Sequence, residues 1–253
     1  MHKALDSNEI EQLRQFRFAT KFESSELSIE LNRLKDETEL LRYLENLGPH
    51  IGSPNLKVTS SVFIKRYAFL AVIYFHAFTT WNKKLDVSFD NLILQTKNEE
   101  GNWLPTIYFK DMGVIEVMED RSSRRDEVLK KLFSDNIDVL INLLSKVTKQ
   151  SKRILWENIS IYIFWLYEIV LSNLDNAYLR NLAKEDFYYI VHEAPGSLFG
   201  DHTTNPLKSF YRNKRYLQHL QEEVRVRNTC CLSYLLMGKK KYCKSCPLIC
   251  NNK

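Results

Sequence analysis

The sequence predicts an α+β protein, mostly helical with a small central antiparallel β-sheet, that ends in a cysteine-rich segment. Three observations predict this. Apolar residues recur at helical spacing before residue 82 and again after residue 120. Between residues 85 and 118 the pattern changes to short runs bounded by turn residues. All five cysteines fall within residues 230–250. The reading therefore divides the chain into a body, residues 1–226, and a C-terminal segment, residues 227–253. With 253 residues, 44% of them hydrophobic and 26% charged, the chain can bury a full core.

The first helix is marked by Asp6 and Glu9 as a capping pair, with Ile10, Leu13, Phe16 and Phe22 behind it. A second, carrying Ile29, Leu31, Leu34, Leu40, Leu41 and Leu44, is expected to end at Gly48-Pro49. After the breaker loop at 48–54, Ser60 or Ser61 is the expected cap of an apolar helix reaching Trp81. Residues 85–94, 104–109 and 114–118 read as strands, with a turn at 98–102. Helices then follow over residues 129–147, 154–174 and 178–191, and Ala194-Pro195-Gly196 breaks the chain. A last helical stretch is expected from Asn205-Pro206 toward Arg227.

Charge and hydropathy narrow the setting. A net charge of +5 is too small to argue for nucleic acid as a partner. The first ten residues carry acidic side chains where a secretory signal has its apolar core. The most apolar runs, 68–78 and 159–171, fall short of the roughly 20 residues of a membrane span and contain His76 and Glu168. They read as buried helices, so no stable membrane insertion is expected and a cytoplasmic location is. In that compartment clustered cysteines bind metal or do redox chemistry more often than they form structural disulfides.

Cys243-Lys244-Ser245-Cys246 is a C-x-x-C chelate, in which a tight turn brings two thiolates to one metal. Cys230 and Cys231 are adjacent, so their side chains diverge, which suits a two-iron cluster or a kinked mononuclear site. Spacing leaves zinc and iron–sulfur both open. Arg227-Asn228-Thr229-Cys230-Cys231, followed by Cys243-Lys244-Ser245-Cys246-Pro247-Leu248, resembles the C-terminal signature of the FhuF-like ferric-siderophore reductases. That resemblance implies a 2Fe-2S cluster on Cys230, Cys231, Cys243 and Cys246, with Cys250 as a spare thiol. The interval 232–242 is one residue longer than the family's usual one. A second resemblance, on Ser88-Phe89-Asp90-Asn91 and Lys110-Asp111-Met112-Gly113, is to the C-terminal lobe of IucA/IucC siderophore synthetases. There the nucleotide and magnesium motifs carry His, Gln and Arg where this chain has Ser88, Asp90 and Lys110. Asn91 and Asp111 are equally ordinary turn residues.

Residues 208–244 hold ten basic side chains against two acidic ones, Glu222 and Glu223. The basic side chains suggest either a solvated face or an electropositive approach to the cysteines. Arg212, Arg215 and Arg227 are the candidate contacts for a chelate, and Phe210, Tyr211 and Tyr216 interleave with them. His192 and His202 flank the Pro195 loop as a weak second metal pair. The expected activity is one-electron reduction of siderophore-bound Fe(III), of hydroxamate or citrate type, with a ferredoxin or flavoprotein as electron donor. The alternative is a non-catalytic siderophore-binding protein with a structural zinc knuckle; a residual synthetase on Asn91 and Asp111 is the third reading.

Overall fold

The computed structural model describes residues 2–96, 103–116, 121–238 and 242–250. Nine helices occur among them: α1 (Ser7–Arg14), α2 (Glu37–His50), α3 (Leu56–Tyr67), α4 (Phe69–Trp81), α5 (Arg121–Leu132), α6 (Asp138–Thr148), α7 (Lys152–Trp165), α8 (Ala177–Tyr188) and the single turn α9 (Pro247–Cys250). The strands are β1 (His2–Ala4), β2 (Phe18–Ala19), β3 (Ile29–Glu30), β4 (Lys83–Leu85), β5 (Leu92–Gln95), β6 (Thr106–Phe109), β7 (Gly113–Glu116), β8 (Arg215–Leu217) and β9 (Glu222–Val224). The α+β class predicted from periodicity is the observed one.

The capping box at α1 forms as the sequence predicts, with Asp6 accepting from the Glu9 amide and Glu9 from the Asp6 amide. Other boundaries differ. α2 continues through Gly48 and Pro49, and the chain breaks at Gly52, which has φ +65°. The cap of α3 is Asn55, whose side chain accepts from the Val58 amide at 3.1 Å. Ser60 and Ser61 are buried inside that helix instead. α3 and α4 join end to end at Ala68, and α4 is buried from Phe69 through Thr79.

The predicted strands fall into two sheets. β5 and β6 form an antiparallel pair, Leu92 opposite Phe109, flanked by β3 and by β2, which runs parallel to β6. β1, β7 and β4 form a second, antiparallel sheet. The expected turn at 98–102 lies outside the described residues. The one helix that is not found is the stretch from Asn205 toward Arg227. Leu207, Phe210 and Leu217 are buried, the first two at a 3₁₀ turn and the third in a β8–β9 hairpin that reverses near Gln221 (φ 51°). Apolar spacing over so few residues fits either backbone.

The rod Leu56–Trp81 is 26 residues long, longer than its apolar run suggested. By length and composition it and Lys152–Asn173 could each cross a membrane, and 89% and 61% of their most apolar windows are buried within the fold. α3 packs against α7, and these two helices carry the C-terminal cysteine segment.

Candidate metal centre

The cysteine segment is fastened to the body through buried polar groups. Glu157 of α7, 1% exposed, accepts from the backbone amides of Asn228 (2.6 Å) and Thr229 (2.8 Å) and from the Thr229 hydroxyl. Arg227 lies beside that carboxylate at 3.7 Å and donates to Asn158 Oδ1 at 2.6 Å and to the Thr229 carbonyl at 3.1 Å. Asn158 in turn donates to the Ser61 hydroxyl at 2.9 Å, and Ser61 donates to the Cys231 carbonyl at 2.9 Å. The backbone on either side of Cys230 and Cys231 is thus held from α3 and α7. Buried polar groups cost little only when each finds a partner, and nearly every group in this chain does.

Beyond Cys231 the chain turns sharply. Leu232 adopts a left-handed conformation (φ 60°) and its amide donates to Cys230 Sγ at 3.4 Å. Met237 then donates its amide to the Gly52 carbonyl at 2.8 Å. A side chain at Gly52 would collide with the Met237 Cβ at 2.9 Å, so the approach needs glycine for space as well as for its positive φ. Tyr234 and Tyr242 stack with ring centroids 4.8 Å apart, closing the two ends of the loop. Cys246 donates its amide to the Cys243 carbonyl at 3.0 Å, the tight turn expected of C-x-x-C, and Arg227 donates its amide to the Ser245 carbonyl at 3.0 Å.

These contacts assemble four thiols as two pairs. Cys231 lies close to Cys243, and Cys230 lies close to Cys246. The neighbouring Cys243 thiol, with Lys65, Arg227 and Ser233, draws the Cys231 titration far below that of a free thiol; Cys243 is driven upward correspondingly. Lys65 Nζ of α3 lies 3.7 Å from Cys231 Sγ, and the Ser233 hydroxyl lies 3.3 Å from it. Cys231 and Cys246 are buried, whereas Cys230 and Cys243 are partly exposed. Cys250, also buried, donates to the Lys244 carbonyl at 3.2 Å and so closes α9 against the loop. Among the described residues no three or more His, Cys, Asp or Glu side chains converge on the position of a single ion.

Arg212, Arg215 and Arg227 line one cleft of about 320 Å³ together with Arg153, Asn213, Val226 and Asn228. The cleft wall 226–228 is the chain that runs into Cys230. The other basic residues divide differently. Lys214 and Arg225 both pair with Glu168, Arg225 also lying over Tyr211, and Lys244 pairs with Glu222 at 2.8 Å. Residues 239–241 lie outside the described residues. Phe210 is core, whereas Tyr216 is exposed.

Sequence reasoning missed Ser61, Lys65, Arg153, Glu157 and Asn158. Glu157 inside an apolar helix was the available signal. His192 packs against Tyr188 and Tyr211, while His202 pairs with Asp138 at 2.9 Å, so the two do not share a partner. Asn91 is buried and ties the Asp86 and Asp111 backbones together, and Asp111 caps the Gly113 amide.

Fold and site define the class: an α+β protein whose paired buried helices hold a loop of four gathered thiols beside an arginine-lined cleft. The chain belongs to the FhuF-like family, whose model, the ferric iron reductase FhuF-like transporter, matches residues 61–195, more than half of the chain. Membership assigns the protein a role in ferric-siderophore iron handling. The match begins at Ser61 and includes Lys65, Glu157 and Asn158, all of which reach the thiol loop, and it ends before the cysteines. No curated protein matches the chain.

Proposed function

We propose that the protein is a cytoplasmic ferric-siderophore reductase in which Cys230, Cys231, Cys243 and Cys246 hold a 2Fe-2S cluster. The observation that carries the reading is the assembly of four thiols as two pairs, fastened to the part of the chain that matches the family. Two thiolates per iron is the ligand set of such a cluster. When bound, the cluster would supply one electron to Fe(III), which a ferredoxin or flavoprotein would replace. Siderophore oxygens hold Fe(III) far more tightly than Fe(II), so the reduced ion is released without a covalent bond being broken in the chelator.

The chain's own residues set the conditions. Lys65 keeps positive charge beside the Cys231 thiolate, and the Ser233 hydroxyl lies against the same sulfur. Glu157, Arg227 and Asn158 fix the backbone that presents the adjacent cysteines. Partial exposure of Cys230 and Cys243 leaves an open side toward solvent, and the arginine cleft lies next to that segment.

Anaerobic purification followed by metal, sulfide and spectral analysis tests the assignment. Iron and acid-labile sulfide in equal amounts, with a visible spectrum lost in Cys230→Ser and kept in Cys250→Ser, are expected. A colourless protein containing zinc without iron or sulfide would overturn it in favour of the zinc knuckle.

A further inference from the structure

The cleft beside the thiol loop differs from the rest of the basic surface. Lys214 and Arg225 share Glu168, and Lys244 pairs with Glu222. No lining residue of the cleft is acidic, and among the described residues no carboxylate pairs with Arg153 or Arg212. Arg153 stands in the first turn of α7, a turn that contains no acidic residue. A cation there opposes the helix dipole and costs stability, a cost that an anionic ligand would offset. Deeper in, Arg227 is 2% exposed, yet its Nη1 has no hydrogen-bond partner, and neither does Asn228 Oδ1. Buried guanidinium nitrogens of Arg17, Arg66, Arg121 and Arg125 also lack a partner, but Arg227 lines a cleft, where a ligand can complete it.

We propose that this cleft takes the carboxylates of a net-anionic ferric chelate, so that the protein selects carboxylate-bearing, citrate-type chelates over neutral trihydroxamates. Guanidinium groups match carboxylates in shape and make paired, charge-assisted hydrogen bonds with them. A neutral trihydroxamate offers no carboxylate to those groups. The volume of about 320 Å³ is at the small end for a ligand site and suits one carboxylate-bearing arm, with the metal left at the mouth. The cleft forms no bond and passes no electron; it positions the chelate. The inference rests on the reductase reading for the purpose of that positioning.

Gallium(III) chelates test it without electron transfer, because gallium is not reduced under these conditions. Calorimetric titration of the holoprotein with gallium citrate and with a neutral gallium trihydroxamate is expected to show at least about tenfold tighter binding of the citrate, the equivalent of one charge-assisted hydrogen bond. Arg153→Gln/Arg212→Gln, two changes at exposed positions, is expected to remove that preference, as is high salt. Equal binding of the two chelates, or a preference unchanged in the double variant, would overturn the proposal. Reoxidation of the reduced protein by the corresponding ferric chelates separates the two levels. Equal rates with both chelates would sink the selectivity and leave the reductase standing. Tight gallium citrate binding with no reoxidation by either chelate would sink the reductase and leave the cleft as a binding site.

Discussion

Glu157 receives three hydrogen bonds from the two residues that precede Cys230 and has the buried Arg227 against its carboxylate. Both side chains are 2% exposed, so neither charge can be solvated if the other is removed. Glu157→Gln is expected to destabilise the fold by about 3 kcal/mol in chemical denaturation, the lower end for breaking a buried pair. Glu157→Gln/Arg227→Met, which removes both charges, should recover part of that loss. Equal stability of wild type and Glu157→Gln would mean that the pair does not hold the loop. Glu157 was visible in the sequence only as an acidic residue in an apolar helix. What it binds lies about seventy residues further on, and no local pattern records such a separation.

At the scale of the element, α3 presents two residues one turn apart, Ser61 and Lys65, to the same cysteine: the hydroxyl to its carbonyl, the ammonium to its sulfur. A positive charge beside a ligating sulfur favours the more negative, reduced form of a cluster. Lys65→Met is therefore expected to move the midpoint potential to more negative values in a potentiometric titration followed by electron paramagnetic resonance. An unchanged potential would remove Lys65 from the account. Long elements were legible beforehand. α4, α6 and α7 follow from apolar spacing, and β5 and β6 from the short runs around 92 and 106 bounded by turn residues. β2 and β3, two residues each, were not, because their only signature is pairing with strands far along the chain. The β8–β9 hairpin stands where a helix is expected, because a few apolar residues between charges fit both periods. The convergence of Arg212, Arg215 and Arg227 on one cleft follows from that hairpin.

At the scale of the whole molecule, the core that carries the thiol loop includes a buried histidine with no charge partner among the described residues. His76 is buried in α4 between Phe16 and Trp81, and burial pushes its pKa down to about 4 from an ordinary 6.5. The folded protein therefore resists a proton that the unfolded chain accepts, and stability present above pH 6.5 is lost as pH falls toward 4. Between pH 7 and pH 5 the loss from this residue is about 2 kcal/mol, read from denaturation curves. His76→Phe should flatten the wild-type slope across that window, and parallel slopes would contradict the assignment. The central claim concerns the other end of the chain, where the four thiols meet. Its most direct measurement is a single-turnover reaction: reduced protein mixed anaerobically with a ferric siderophore, with cluster absorbance and trapped Fe(II) followed together. The account predicts that the cluster is reoxidised as Fe(II) appears, one ion per cluster, and that Cys230→Ser gives neither signal. Fe(II) release that persists in Cys230→Ser, or a reduced cluster that ferric chelates leave untouched, would contradict it.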